Sequence, residues 1–176
     1  MNPALDSLLN SIFFTIPSVV VFITAYFLLK EFFFQENKKR EVDIRLEKVR
    51  ISLPLRIQAY ERIIMFLERI SPANLVMRLH QPNLSAEEFQ KMLVQNIRDE
   101  YTHNLSQQLF ISSTAWEMVK TAREEMIRQI NIAASELKED ATSVDLSNNL
   151  LSMSMDKFAT RKALEMIKDE ARNNFA

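Results

Sequence analysis

The chain has 176 residues, with 22 Lys and Arg against 23 Asp and Glu, for a net charge of −1. That length holds one domain of ordinary size, and the charge balance argues against a protein that wraps nucleic acid. There is no Cys and no Gly, which excludes disulfide frameworks, thiolate metal sites, Cys nucleophiles and Gly-rich phosphate loops. What remains is helices joined by short connections.

From Leu8 to Leu29 the chain reads LLNSIFFTIPSVVVFITAYFLL, 22 residues without a charge. As a helix this spans about 33 Å, against a hydrocarbon core of about 30 Å. Asn10, Ser11, Thr15, Ser18 and Thr24 are short polar residues that the helix's own carbonyls satisfy, and membrane helices accept a kink at Pro17. A signal peptide would have a basic start, a shorter apolar core and a small-residue cleavage site. Here no Lys or Arg precedes the run, and Phe32, Phe33 and Phe34 follow it. A retained anchor is the expectation. Ser11, Thr15, Ser18 and Ala25 share one face, which reads as an ordinary scatter of small residues.

Before the span the one side-chain charge is Asp6, and after it come Lys30, Lys38, Lys39, Arg40 and Arg45. The positive side faces the cytoplasm. This predicts a single-pass protein of the inner (cytoplasmic) membrane, its N-terminus outside and its body in the cytoplasm. Residues 36–70 hold nine basic against six acidic residues, and residues 71–176 hold 12 against 15. Lys38, Lys39 and Arg40 therefore read as the topogenic signal and as headgroup contacts.

Residues 36–70 carry a four-three apolar pattern of Val42, Leu46, Val49, Leu53, Tyr60, Ile63, Leu67 and Ile70, with Arg56 as the polar intruder. Such a stripe needs a partner helix, in this chain or in another copy. Pro54 predicts a kink, or a helix ending near Ser52 and a new one starting at Pro54. With Pro72 and Pro82 it argues against one very long stalk helix.

Ser71-Pro72 opens a short helix over about 72–80, and Gln81-Pro82-Asn83 breaks the chain. Ser85 to Glu88 is a capping box, predicting a helix to about Leu109 with Phe89, Leu93, Ile97, Tyr101 and Leu105 inward. Thr114 to Glu117 reads as a second box, opening a helix to about Leu137 that faces inward with Val119, Ala122, Met126, Ile130, Ala133 and Leu137. The polar run 138–149 reads as a loop, and Leu150 to Met155 as helical or irregular. A last helix is expected from about Ala159 to Asn173, facing inward with Ala163, Leu164, Ile167 and Ala171. No window has convincing strand alternation, so no sheet is expected. The fold class is all-α. It comprises an anchor over 1–34, a charged membrane-proximal helical segment over 35–53, and a bundle of about four to five helices over 54–176.

Glu100 and His103 have the Glu-x-x-His spacing of carboxylate-bridged di-metal bundles, but the second copy is missing because Met77 precedes His80. No nucleophile elbow exists without glycine. Trp116 and the nine methionines, Met153 and Met155 among them, read first as core.

The stretch ISLPLRIQAYERIIMFLERISPANLVMRL (Ile51–Leu79), with YTHNLSQQLFIS (Tyr101–Ser112) and AWEMV (Ala115–Val119), resembles an uncharacterised bacterial family of small proteins over roughly residues 5–170. The resemblance implies an N-terminal span, an α-helical cytoplasmic body and a bacterial inner membrane, and it carries no site residues. The layout is also similar to the b-type stalk subunit of rotary ATP synthases, from whose unbroken helix Pro54, Pro72 and Pro82 depart.

The functional expectation is a membrane-tethered interaction or scaffold module without catalysis or cofactor. Its partner is another protein or a second copy, with no nucleic acid and no small-molecule substrate. Its partner contacts fall on Arg56, Arg62, Arg69, Asn104, Gln107 and Gln108. Rival readings are a metal-dependent or acid–base enzyme using Glu100 and His103, and a binder of anionic lipid through Lys38–Arg50.

Overall fold

The computed structural model describes residues 3–153 and 159–175, with side chains from Phe13 onward except Phe14. The side chains of Asp6 and Ser11, and the whole of Met155, lie outside the described residues. Every regular element described is a helix: α1 Pro3–Arg69, α2 Pro72–Leu79, α3 Ala86–Asn104, α4 Ser113–Ser135, α5 Ser143–Met153 and α6 Ala159–Phe175. A short 3₁₀ helix, Leu105–Leu109, follows α3. The chain divides into two compact units, Met1–Ser52 and Leu53–Ala176, and α1 contributes to both.

In the first unit, α1 carries the apolar run. It is long and apolar enough to cross a membrane, and none of its apolar window is buried within the chain. The described large side chains from Phe13 to Phe34 stand exposed, including Val21, Phe22, Leu28 and the Phe32–Phe34 triplet. Thr24 donates its hydroxyl to the carbonyl of Val20 at 2.8 Å, so this polar side chain is satisfied by its own helix.

Pro54 does not end a helix: α1 is 67 residues long and runs through it. This corrects the expectation that the prolines forbid a very long helix. Proline withholds one donor and crowds the carbonyl four residues back. That carbonyl belongs to Arg50, and both residues are exposed, where solvent is available to an unpaired carbonyl. Pro72 and Pro82 do mark breaks, one opening α2 and one lying between α2 and α3.

The second unit has its own core. From α1 it takes Ala59, Tyr60, Ile63, Phe66 and Leu67, and from just past its end Ile70, all buried. From α2 come Leu75 and Val76; from α3, Phe89, Leu93 and Ile97; from α4, Trp116, Val119, Ala122, Met126, Ile130 and Ala133; from α5, Leu146 and Leu150; from α6, Ala163 and Ile167. The faces read at helical spacing on α3, α4 and α6 are thus the ones that pack. Helix α4 packs against α6, α3 and α5, and α3 also against α5. Leu105 is the exception on α3, because the helix tightens to 3₁₀ there and the side chain is exposed.

The helix starts explain themselves locally. Ser85 caps α3 with the full box: its hydroxyl accepts from the Glu88 amide at 3.2 Å, and Glu88 accepts from the Ser85 amide at 3.1 Å. Hydrogen bonds donated by the Ser85 amide and hydroxyl hold the Glu88 carboxyl below its ordinary pKa. Ser71 precedes Pro72 at the start of α2, but its hydroxyl donates back to the carbonyl of Glu68 at 2.7 Å and does not cap. The α4 cap is Ser112, not Thr114; the Ser112 hydroxyl accepts from the Ala115 amide at 3.0 Å.

The 138–149 run is not all loop. Helix α5 begins at Ser143, and its signal is Thr142-Ser143-Val144-Asp145. The Asp145 carboxylate accepts from the Thr142 amide at 2.8 Å and the Thr142 hydroxyl at 2.7 Å, a capping box with Asp in place of Glu. Ser143, Leu146, Ser147 and Leu150 form its buried face. The two serines are satisfied inside: Ser143 donates to the Gln81 carbonyl at 2.6 Å and Ser147 to the Ser143 carbonyl at 2.7 Å. The Ala86 amide also donates to the Ala141 carbonyl, and the Ser143 amide to the Leu84 carbonyl, so the starts of α3 and α5 are tied together.

Candidate functional site

Two polar clusters fasten α1 to the rest of the second unit. In the first, Tyr60 of α1 donates to Glu170 of α6 at 2.5 Å. The same carboxylate accepts from the Ser112 amide at 3.1 Å and the Ser112 hydroxyl at 2.5 Å. Ser112 therefore caps α4 and holds α6 at once. One turn on from Glu170, Asn174 donates to the Tyr60 oxygen at 3.1 Å, and Phe175 meets the Tyr60 ring edge-on at 5.3 Å. Arg56 lies over the Phe175 ring at 5.6 Å. Burial pushes the Glu170 carboxyl up, but hydrogen bonds from Ser112 and Tyr60 and the charge of Arg56 outweigh it, so its pKa falls below the ordinary value. The Tyr60 phenol moves the other way, raised by burial and then by Glu170.

In the second cluster Arg69, at the end of α1, donates from Nε to Glu100 of α3 at 2.8 Å. Arg78 of α2 stands 3.7 Å from the same carboxylate and donates to Asn96 at 2.8 Å. Burial and then the charge of Arg69 lower the Arg78 guanidinium, with Glu100 opposing. The Arg69 side chain is 44% exposed, so the Arg69–Glu100 pair contributes about 1 kcal/mol or less. It fixes α1 against α3 more than it stabilises the fold.

The residues singled out from sequence separate accordingly. Arg56 and Arg69 are engaged inside the chain, while Arg62 is exposed and makes no ion pair among the described residues. Asn104 and Gln107 are buried, against the expectation of an exposed stretch. Asn104 donates to the Glu100 carbonyl at 2.8 Å, and so closes the last turn of α3. Gln108 is exposed. Lys38 lies over the Phe34 ring at 5.5 Å, Arg40 pairs with Glu36 at 2.8 Å, and Lys39 is exposed.

His103 is exposed and Glu100 is held by Arg69, so the Glu-x-x-His spacing is not assembled into a ligand set. Among the described residues no group of three or more His, Asp or Glu is placed to hold a metal ion. His80 meets Phe89 edge-on at 6.0 Å and approaches Ser147 at 3.4 Å. Trp116 is buried and stacks on Tyr101 at 5.4 Å, and Arg123 lies over the Tyr101 ring at 4.2 Å. That stack was not foreseeable from spacing, since α3 and α4 contribute one ring each. An open groove of about 550 Å³ is lined by Ser85, Glu87, Gln90, Asn131, Lys138 and Glu139 among others. Within its lining Gln90 and Asn131 already bond each other at 2.9 Å.

The model of a family of unknown function, DUF7935, matches residues 6–174. The chain belongs to that family. The match covers the apolar stretch of α1 and nearly all of the helical unit, in line with the resemblance to an uncharacterised family. No curated protein and no solved structure matches the chain.

Proposed function

We propose that this protein is a membrane-tethered helical interaction module, held at the inner leaflet of a bacterial cytoplasmic membrane and acting by binding, without catalysis. The observation that carries this reading is the apolar stretch of α1, whose described large side chains from Phe13 to Phe34 stand exposed, with no cover among the described residues. Burying each such side chain is worth about 1.5–3 kcal/mol, so a run of this length in water is strongly unfavourable and a bilayer relieves it. Lys30, Lys38, Lys39, Arg40 and Arg45 on its C-terminal flank support a cytoplasmic body, and Lys38, Lys39 and Arg40 contact anionic headgroups. The body has a closed core, with Glu100 committed to Arg69. This favours a rigid platform over a reaction centre. Its exposed polar positions Arg62 and Gln108 are the partner contacts this reading retains.

The test is purification of the tagged full-length protein from gently solubilised membranes, alongside an R62E variant. A stoichiometric partner that accompanies the first and is reduced with the second supports the reading. Full-length protein that comes out alone, or carries a bound metal or small molecule instead, overturns it.

A further inference from the structure

Residues 42–51 of α1 alternate in polarity: Val42, Ile44, Leu46, Val49 and Ile51 are apolar and all about half exposed or more, and the residues between them are charged. On a helix, successive residues stand about 100° apart. Val42, Leu46 and Val49 then fall within about 60° of one another, and Ile44 and Ile51 lie together on the opposite side, about 180° away. The segment thus has two narrow apolar stripes, back to back, separated by charge. A helix with one stripe is covered by one neighbour. This one needs two.

We propose that both stripes are covered by further copies of this chain, the first stripe of one copy packing on the second stripe of the next. The inference rests on the membrane tether proposed above, because a shared anchor makes neighbouring copies parallel and sets them at one height. In that register the charges flanking the two stripes match. Arg50 of one copy stands beside Glu47 of the next, Asp43 beside Arg40, and Arg45 beside Glu41, with Lys48 the one like-signed neighbour on that edge. Within the single chain, Glu41, Asp43, Arg45, Glu47 and Arg50 make no ion pair among the described residues, and Arg40 pairs with Glu36. A two-fold dimer uses the same stripe twice and leaves the other in water. The head-to-tail contact uses both and repeats, so it builds rings or rows of three or more copies.

The sequence has no Cys, so introduced thiols are the only ones. The full chain carrying Ile44→Cys and Leu46→Cys together is oxidised mildly in its native membranes and run on a non-reducing gel, beside each single variant. The two positions lie on opposite sides of one helix and do not reach each other within a chain. The expected result is a ladder in steps of the 20.6 kDa chain mass, reaching three chains or more, with the single variants monomeric. The V49C/I51C variant samples the next turn and gives the same ladder. A dimer band from L46C alone, or monomer from both double variants, overturns the proposal. Flotation of the same membranes tells the two readings apart: protein that floats without a ladder defeats this inference alone, and protein that does not float defeats the tether as well.

Discussion

Residues 42–51 and 59–69 lie on one helix and, with Ile70 just past its end, share one four-three apolar register, yet their side chains meet opposite fates. Val42, Leu46 and Val49 are exposed, whereas Tyr60, Ile63, Leu67 and Ile70 are buried. The difference lies in what surrounds the stripe. Around 59–70, Ala59 and Phe66 widen it into a broad face on one side, which suits packing against several helices of the same chain. Around 42–51 the additional apolar residues, Ile44 and Ile51, fall on the far side instead. Polar fasteners differ as well. The distal stretch is pinned at Tyr60 by Glu170 and at Arg69 by Glu100, while none of the charges at 41–50 is in an ion pair among the described residues. A heptad therefore states that a helix has a partner. The width and sidedness of the apolar face state where that partner is.

The largest expected break in this comparison comes from the core. Leu67→Ala should cost the helical unit about 2–5 kcal/mol, and Leu46→Ala, at the same register position, should lie within about 0.5 kcal/mol. Chemical unfolding of the full-length protein in detergent checks both. Similar losses at the two positions would erase the distinction.

The Tyr60–Ser112–Glu170 cluster gives the next effect. Glu170→Gln should cost about 1–3 kcal/mol, because charged hydrogen bonds are lost at three donors. The pH dependence has a definite sign. The folded-state pKa of Glu170 lies below its ordinary 4.5, so this contribution is complete above about that pH and is lost as pH falls through the depressed value. Tyr60 is raised above its ordinary 10.0, so its contribution is complete below that pH and is lost on alkaline titration. Unfolding midpoints measured across pH should therefore fall at both ends, and Glu170→Gln should flatten the acid limb. An unchanged acid limb would remove Glu170 as a fastener.

Smaller still, Thr142→Ala should cost about 1 kcal/mol by removing the cap of α5. The loss should show as faster amide exchange across Ser143–Met153, with α3 less affected. Equal loosening of every helix would mean that α5 is not the element capped there. At the bottom of the scale, Gln108→Ala should leave unfolding unchanged within about 0.5 kcal/mol while weakening partner retention, as befits an exposed residue outside the core.

Much of this architecture is legible in the sequence, and the gaps have physical causes. The Ser85 box and the inward faces of α3, α4 and α6 are local signals, and the structure uses them as written. Helix α5 escapes because its residues are polar in bulk; its Thr142-x-x-Asp145 box was available, but a shorter acid stands where Glu is the usual sign. The α4 start lies at Ser112 and not Thr114, where the Ser112 hydroxyl accepts from the Ala115 amide and also donates to Glu170, 58 residues away. Pro54 withholds a donor but does not end the helix, since the Arg50 carbonyl it leaves unpaired is on an exposed residue. The Tyr60–Glu170 contact joins residues 110 apart, and nothing in spacing announces it. Asn104 and Gln107 show the converse: both are polar and buried, Asn104 donating to the Glu100 carbonyl at the end of α3 and Gln107 to the Ser106 hydroxyl.

The account stands on the exposed apolar run of α1 lying in a bilayer. Alkaline carbonate extraction of membranes from cells producing the full-length chain, followed by sizing of the retained protein, tests this most directly. The account predicts that the chain stays with the membrane at its full 20.6 kDa. Release into the supernatant, or recovery of a chain shortened by removal of the apolar run, would contradict it.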